Sequence, residues 1–115
     1  MESILTTIKN LLGIEASYTH FDSDITVYIN SVFTNLTQLG VGPITGFSIA
    51  DATETWSDFL GEDVPPGSIP AYIYLKVRLL FDPPSSAFVL EATERLISEM
   101  EWRINVLAEG GTTDG

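Results

Sequence analysis

The sequence predicts an all-α protein, a small bundle of three to four main helices plus one short helix. Two observations carry this. Apolar residues recur at helical spacing in separate stretches, and capping residues, glycines and prolines fall between them. The totals agree with it: 115 residues, 44% of them hydrophobic, suffice for one modest core. The expected organisation is a single helical domain over residues 1–107 and a flexible tail over 108–115.

The first element is a short amphipathic helix. Ile4, Leu5, Ile8, Leu11 and Leu12 share a face, and Gly13 is a natural stop. The second is the clearest: Ile25, Tyr28, Ile29, Val32, Phe33, Leu36 and Leu39 form one apolar stripe. Asp22 or Ser23 is suited to cap it, Asp24 suits the positive end of its dipole, and Gly40 can end it. Residues 40–68 read as a long irregular loop. It holds a turn-rich "GVGPITGF", a short extended "FSI", and a short helix in "TETWSDFLG" with Thr53 as cap and Gly61 as stop. Connections of this length are usually functional or mobile.

The next helix covers 69–81, capped by Ser68, with Pro70 tolerated in its first turn. Ile69, Ile73, Val77 and Leu80 lie on one side, and Tyr72, Leu75 and Leu79 on another. Such a helix is enclosed by neighbours, either as the centre of a small bundle or with help from a second copy of the chain. Asp82, Pro83 and Pro84 end it, because the residue before a proline is driven out of the helical region. Ser85 or Ser86 then caps a last helix to about Leu107, with Val89, Leu96, Met100, Ile104 and Leu107 as its expected core stripe. The prolines restrict the hinge, so the two helices should form a stiff antiparallel or crossed pair. The tail "AEGGTTDG" has no apolar anchor and should be disordered.

Composition excludes much chemistry. There is no cysteine and one histidine, His20, so thiolate catalysis and Cys-based zinc sites are removed and a His-based metal site lacks partners. "DSD" at 22–24 lacks the glycine and distal glutamate of a calcium loop. "GFSIA" at 46–50 loosely resembles a nucleophile elbow, but the chain is too short for the sheet that motif needs. The expectation is no enzyme, no cofactor and no metal. Sixteen acids against five bases give a formal charge of −11, which disfavours groove binding to nucleic acid and anionic membranes. No apolar run is long enough to span a bilayer, and the N-terminus lacks a signal-peptide pattern; an intracellular, soluble protein is expected.

The informative surface is the last helix. Glu91, Arg95, Glu99 and Arg103 stand four apart with alternating sign. Alone, that is an intrahelical ladder of small value. Trp102 falls on the same polar side, with Phe88 and Val106 nearby, and a tryptophan flanked by arginines is a typical interface anchor.

Residues 69–106, "IPAYIYLKVRLLFDPPSSAFVLEATERLISEMEWRINV", resemble the C-terminal half of the small head–tail connector (adaptor, head-completion or DNA-packaging) proteins of long-tailed bacteriophages. The lysine-bearing apolar helix, the "LLFDPP" break and the closing "EMEWRIN" carry the resemblance; the N-terminal half matches only in pattern. It implies a helical bundle whose copies form a ring, a dodecamer of about twelve, beneath the portal protein in the virion neck. Such a ring extends the channel for genomic DNA without binding it specifically, and receives stopper or tail-completion proteins. No catalysis or membrane is implied, and the protein is made in the host cytoplasm. On this reading Trp102, Arg103, Arg95, Glu91, Glu99 and Phe88 are subunit-interface candidates, and Asp82, Pro83 and Pro84 the hinge. The tail residues Ala108, Glu109, Gly110, Gly111 and Thr112 are candidates for docking on the portal. Two alternatives stay open: an acidic DNA-mimic inhibitor of a host nucleic-acid-binding protein, and a small helical dimeric regulatory domain.

Overall fold

The computed structural model describes residues 3–61 and 68–113, with side chains described as far as Ala108. Five helices follow in order: α1 (Ile4–Leu12), α2 (Asp22–Gln38), α3 (Trp56–Leu60), α4 (Ser68–Phe81) and α5 (Ala87–Thr113). The described residues hold no strand, only an isolated antiparallel bridge between Ser3 and Thr55, so "FSI" is unpaired. The expected loop over 62–67 lies outside the described residues.

α1 begins and ends as its sequence dictates. The Ser3 hydroxyl accepts the Thr6 amide at 3.2 Å, and Gly13 turns left-handed with φ 84°. Ile4, Leu5 and Ile8 are buried, and so is Lys9. Its ammonium donates to the carbonyls of Ala16 (3.0 Å) and Tyr18 (2.8 Å) and pairs with the Asp22 carboxylate at 2.8 Å. Two hydrogen bonds and one ion pair compensate the buried charge. The expected cap of α2 is corrected accordingly. Phe21 occupies the N-cap without a side-chain bond, and Asp22 is turned inward to Lys9.

α2 buries Ile25, Ile29, Val32, Phe33 and Leu36, and α4 buries Ile69, Tyr72, Ile73 and Val77. α4 packs against α1, α2 and α5, so the helix expected to be enclosed is the hub of the bundle. The molecule measures 46 × 36 × 20 Å, about two helices thick.

The segment between α2 and α3 is irregular yet tied down. The Asn30 side chain bonds both backbone groups of Ile49, donating to its carbonyl at 2.9 Å and accepting its amide at 2.7 Å. That amide replaces the partner strand which "FSI" lacks. Phe47 packs on Phe33 and Phe59 with ring centroids 5.2 Å from each. Gly42 (φ 84°) passes so close to Phe59 that a Cβ would lie 2.4 Å from its ring. The Trp56 indole donates to the Thr7 hydroxyl at 3.1 Å. The cap of α3 is Thr55 rather than Thr53. It forms a capping box with Asp58, whose carboxylate accepts the Thr55 amide at 2.9 Å. Thr53 instead donates to Asp51. Residues 40–61 are irregular, as expected, and are tied to the bundle by these contacts.

Asp82, Pro83 and Pro84 separate α4 from α5. The Asp82 amide closes the last turn of α4 on the Arg78 carbonyl at 2.8 Å, and the Ser86 hydroxyl accepts the Val89 amide at 3.3 Å as the cap of α5. Phe81 packs edge-on against Phe21 with centroids 5.1 Å apart. α5 returns along α4: Tyr72 donates to Glu101 at 2.6 Å, and Lys76 stands 3.6 Å from the same carboxylate.

The core register of α5 differs from expectation. Of the expected stripe Ile104 is buried and Met100 partly so, but Val89, Leu96 and Leu107 are exposed, and Ile97, outside that stripe, is buried. α5 is apolar on two sides, but α4 covers only one; the side with both isoleucines faces it. The helix is assigned to Thr113, past the expected end near Leu107. The side chains of the tail candidates Glu109, Gly110, Gly111 and Thr112 lie outside the described residues.

Candidate functional site

The surface to be explained is the side of α5 turned away from α4. At about 100° per residue, Phe88, Arg95, Trp102 and Val106 fall opposite Ile97 and Ile104. Trp102 is 66% exposed and Phe88 81%. Among the described residues no aromatic ring or cation stacks on Trp102. It does not fold over a neighbouring helix; it stands in solvent.

The charged candidates form two intrahelical pairs, Arg95 with Glu91 at 3.5 Å and Arg103 with Glu99 at 2.8 Å. Such exposed pairs contribute about 0.2–0.5 kcal/mol each, so they do not hold the fold. They leave the face neutral in sum on a strongly acidic chain. An exposed tryptophan with two arginines, on a face that repels nothing, is suited to be covered by another protein.

A second apolar surface escaped the sequence reading. Leu75 of α4 with Leu96, Met100, Ile104 and Leu107 of α5 line an open groove between the two helices, with Arg103 at its edge. Leu107 is 67% exposed. Its signal was present in the stripe taken for core.

A third surface lies away from α5. Leu5, Val27, Ala50 and Ala52 line a shallow depression at the start of α2, with Asp22 and Asp51 also lining it. Hydrogen bonds from the Thr53 hydroxyl and amide hold the Asp51 carboxyl below the usual carboxylate range. Residues 14–61, which include this depression and the exposed Ile44, contain no lysine or arginine.

For chemistry the arrangement offers little. Among the described residues no group of three or more His, Asp or Glu side chains could hold a metal ion. Ser48 of "GFSIA" sits beside Thr34, Thr37 and Thr45, in a segment with no preceding strand, and His20 packs edge-on against Phe21 with centroids 4.7 Å apart. No helix among the described residues is long and apolar enough to cross a membrane.

Neither the curated proteins nor the solved structures include a match to this chain. A family model described as phage connector protein, however, matches residues 4–111. That span takes in all of α1 to α4 and most of α5, and the chain belongs to the phage connector protein family.

Proposed function

We propose that the protein is a head–tail connector of the adaptor type. About a dozen copies form a ring beneath the portal in the virion neck, extending the DNA channel and receiving stopper or tail-completion proteins. The protein works as a structural part and not as an enzyme. The observation that carries this reading is the exposed, charge-neutral Trp102 face of α5, on a chain of the connector family. Glu91, Arg95, Glu99, Arg103 and Phe88 complete that face as subunit contacts. Residues 82–84 fix the angle between α4 and α5, and the tail from Ala108 onward meets the portal. The formal charge of −11 per copy gives the ring a negative field through which DNA slides without sticking.

The test is the native mass of the purified protein over a wide concentration range, alone and with the portal protein of its phage. A ring of about a dozen copies, formed alone or on the portal, is the expected result. A monomer or dimer that ignores the portal overturns the reading. The base-free stretch 14–61 favours one other function, mimicry of DNA toward a basic host protein, and competition with DNA for such a protein would establish it.

A further inference from the structure

The bases of this chain are segregated, although its acids are not. Lys9 is buried and already paired. Every other base belongs to α4 or α5: Lys76, Arg78, Arg95 and Arg103. Residues 14–61 carry Glu15, Asp22, Asp24, Asp51, Glu54 and Asp58 without a lysine or arginine. Two copies meeting by their acidic sides would oppose acid with acid, whereas the α5 face, where Arg95 and Arg103 are balanced by Glu91 and Glu99, sets up no such repulsion. Head-to-tail approach brings the arginine-bearing face of α5 to the acidic side of the next copy.

That acidic side has a place for an aromatic anchor. The depression between α2 and residues 50–52 has buried Leu5 as its floor, Val27, Ala50 and Ala52 as apolar lining, and Asp22 and Asp51 as its charged groups. Val27 lies outside the core stripe of α2 and is 64% exposed, so its apolar side chain is open to a partner. No residue of α5 lines this depression, so the two surfaces are separate, as a heterologous contact requires. The geometry points to a defined subunit contact: Trp102 of one copy seats in the Val27 depression of the next, with Arg95 and Arg103 directed at its Asp51 side.

This contact rests on the proposed ring and specifies which surfaces build it. It gives a reason for three features the fold leaves unexplained, the solvent-exposed Trp102, the exposed Val27 and the one-sided distribution of bases. A self-complementary α5–α5 contact would use the first and leave the other two idle.

The chain has no cysteine, so the contact can be trapped selectively. Val27→Cys and Trp102→Cys are prepared as separate proteins, each checked for helicity and native mass. They are mixed, alone and on the portal, under mild oxidation, beside wild-type protein assayed for ring formation. The expected result is a disulfide joining positions 27 and 102 in the mixture, with neither variant cross-linking to itself. A chain carrying both substitutions should give a ladder of linked species up to the ring. In a parallel arm that keeps the surfaces otherwise intact, Val27→Glu should weaken association by at least roughly 30-fold, as loss of an anchor contact does. A wild-type ring without the 27–102 link and unaffected by Val27→Glu overturns the contact and leaves the ring. Self-linking of Trp102→Cys overturns it in favour of an α5–α5 dimer. Absence of any ring or link, with or without portal, overturns both.

Discussion

Lys9 is the residue on which the first half of the chain depends. Its ammonium gathers two backbone carbonyls and Asp22, and so closes the turn from α1 into α2. Replacing one member of a buried pair leaves the others without a partner, which typically costs about 3–5 kcal/mol. Lys9→Met should therefore lower unfolding stability by about 3 kcal/mol in urea titration; an unchanged midpoint would show that the ammonium is dispensable. Tyr72 makes a second, pH-dependent contribution. Burial, and then its bond to the Glu101 carboxylate, raise the phenol above its ordinary value of 10.0. The folded chain then holds that proton longer than the unfolded one. The sign follows: the contribution is complete below about pH 10 and is lost as pH rises beyond it. The comparison that isolates the phenol is with Tyr72→Phe. That variant should be less stable at neutral pH and lose less stability between pH 9 and 11 (about one unit either side of the free phenol). Equal alkaline losses in the two proteins would contradict the assignment. Neither residue's role was legible in the sequence. A lysine inside an apolar stripe shows its position but not its acceptors, which come from a turn seven to nine residues on.

At the scale of elements, legibility followed the number of neighbours. α1 and α2 each press one side on the core, so their apolar period gave their burial except at Leu11, which is exposed, and Gly13 and Gly40 marked their ends. α5 presents two apolar sides and packs mainly on α4, so the period could not say which side was covered. Ile104 was expected in the core and is there, but Ile97 took the place of Val89, Leu96 and Leu107 because tertiary packing, not hydropathy, set the rotation of the helix. Residues 40–61 were legible only as irregular, since what holds them is distant in sequence: Asn30 for Ile49, Thr7 for Trp56, and Phe33 for Phe47. The Trp102 face was legible, because four-residue charge spacing and a tryptophan on the polar side need no tertiary knowledge. The break between α4 and α5 was legible as well, and its consequence can be measured. Pro83 and Pro84 restrict the backbone between two helices that already meet through Tyr72, Lys76 and Glu101. Replacing both prolines with alanine should change monomer stability by less than about 1 kcal/mol, the size of a loop proline effect, while impairing ring assembly on the portal. Normal assembly and infectivity of the double variant would remove the hinge from the mechanism.

For the whole molecule, the deciding quantity is charge. Each copy carries −11, and the proposed ring would bring such copies into contact, so two electrostatic effects would oppose one another. Overall repulsion between copies acts over distances comparable to the Debye length, about 10 Å at 0.1 M salt, and is screened as salt rises. The attraction of Arg95 and Arg103 for the Asp51 side acts at contact, where water is partly excluded and screening is weaker. Apolar burial of Trp102 is not weakened by salt. Raising sodium chloride should thus remove more repulsion than attraction, and self-association should strengthen from roughly 50 to 300 mM salt. Sedimentation velocity at fixed protein concentration reads this directly. The opposite trend, with rings dissolving as salt rises, would mean that arginine–carboxylate pairs outweigh both repulsion and apolar burial. The same charge predicts how the protein meets DNA. Protein–DNA affinity at low salt comes from lysine and arginine on phosphate, and four bases at most are free for it here against sixteen acids. Duplex DNA should show no retardation by the protein even at about 50 mM salt, where such contacts are strongest. A shifted band would require a basic surface that the distribution of charge on α4 and α5 does not provide.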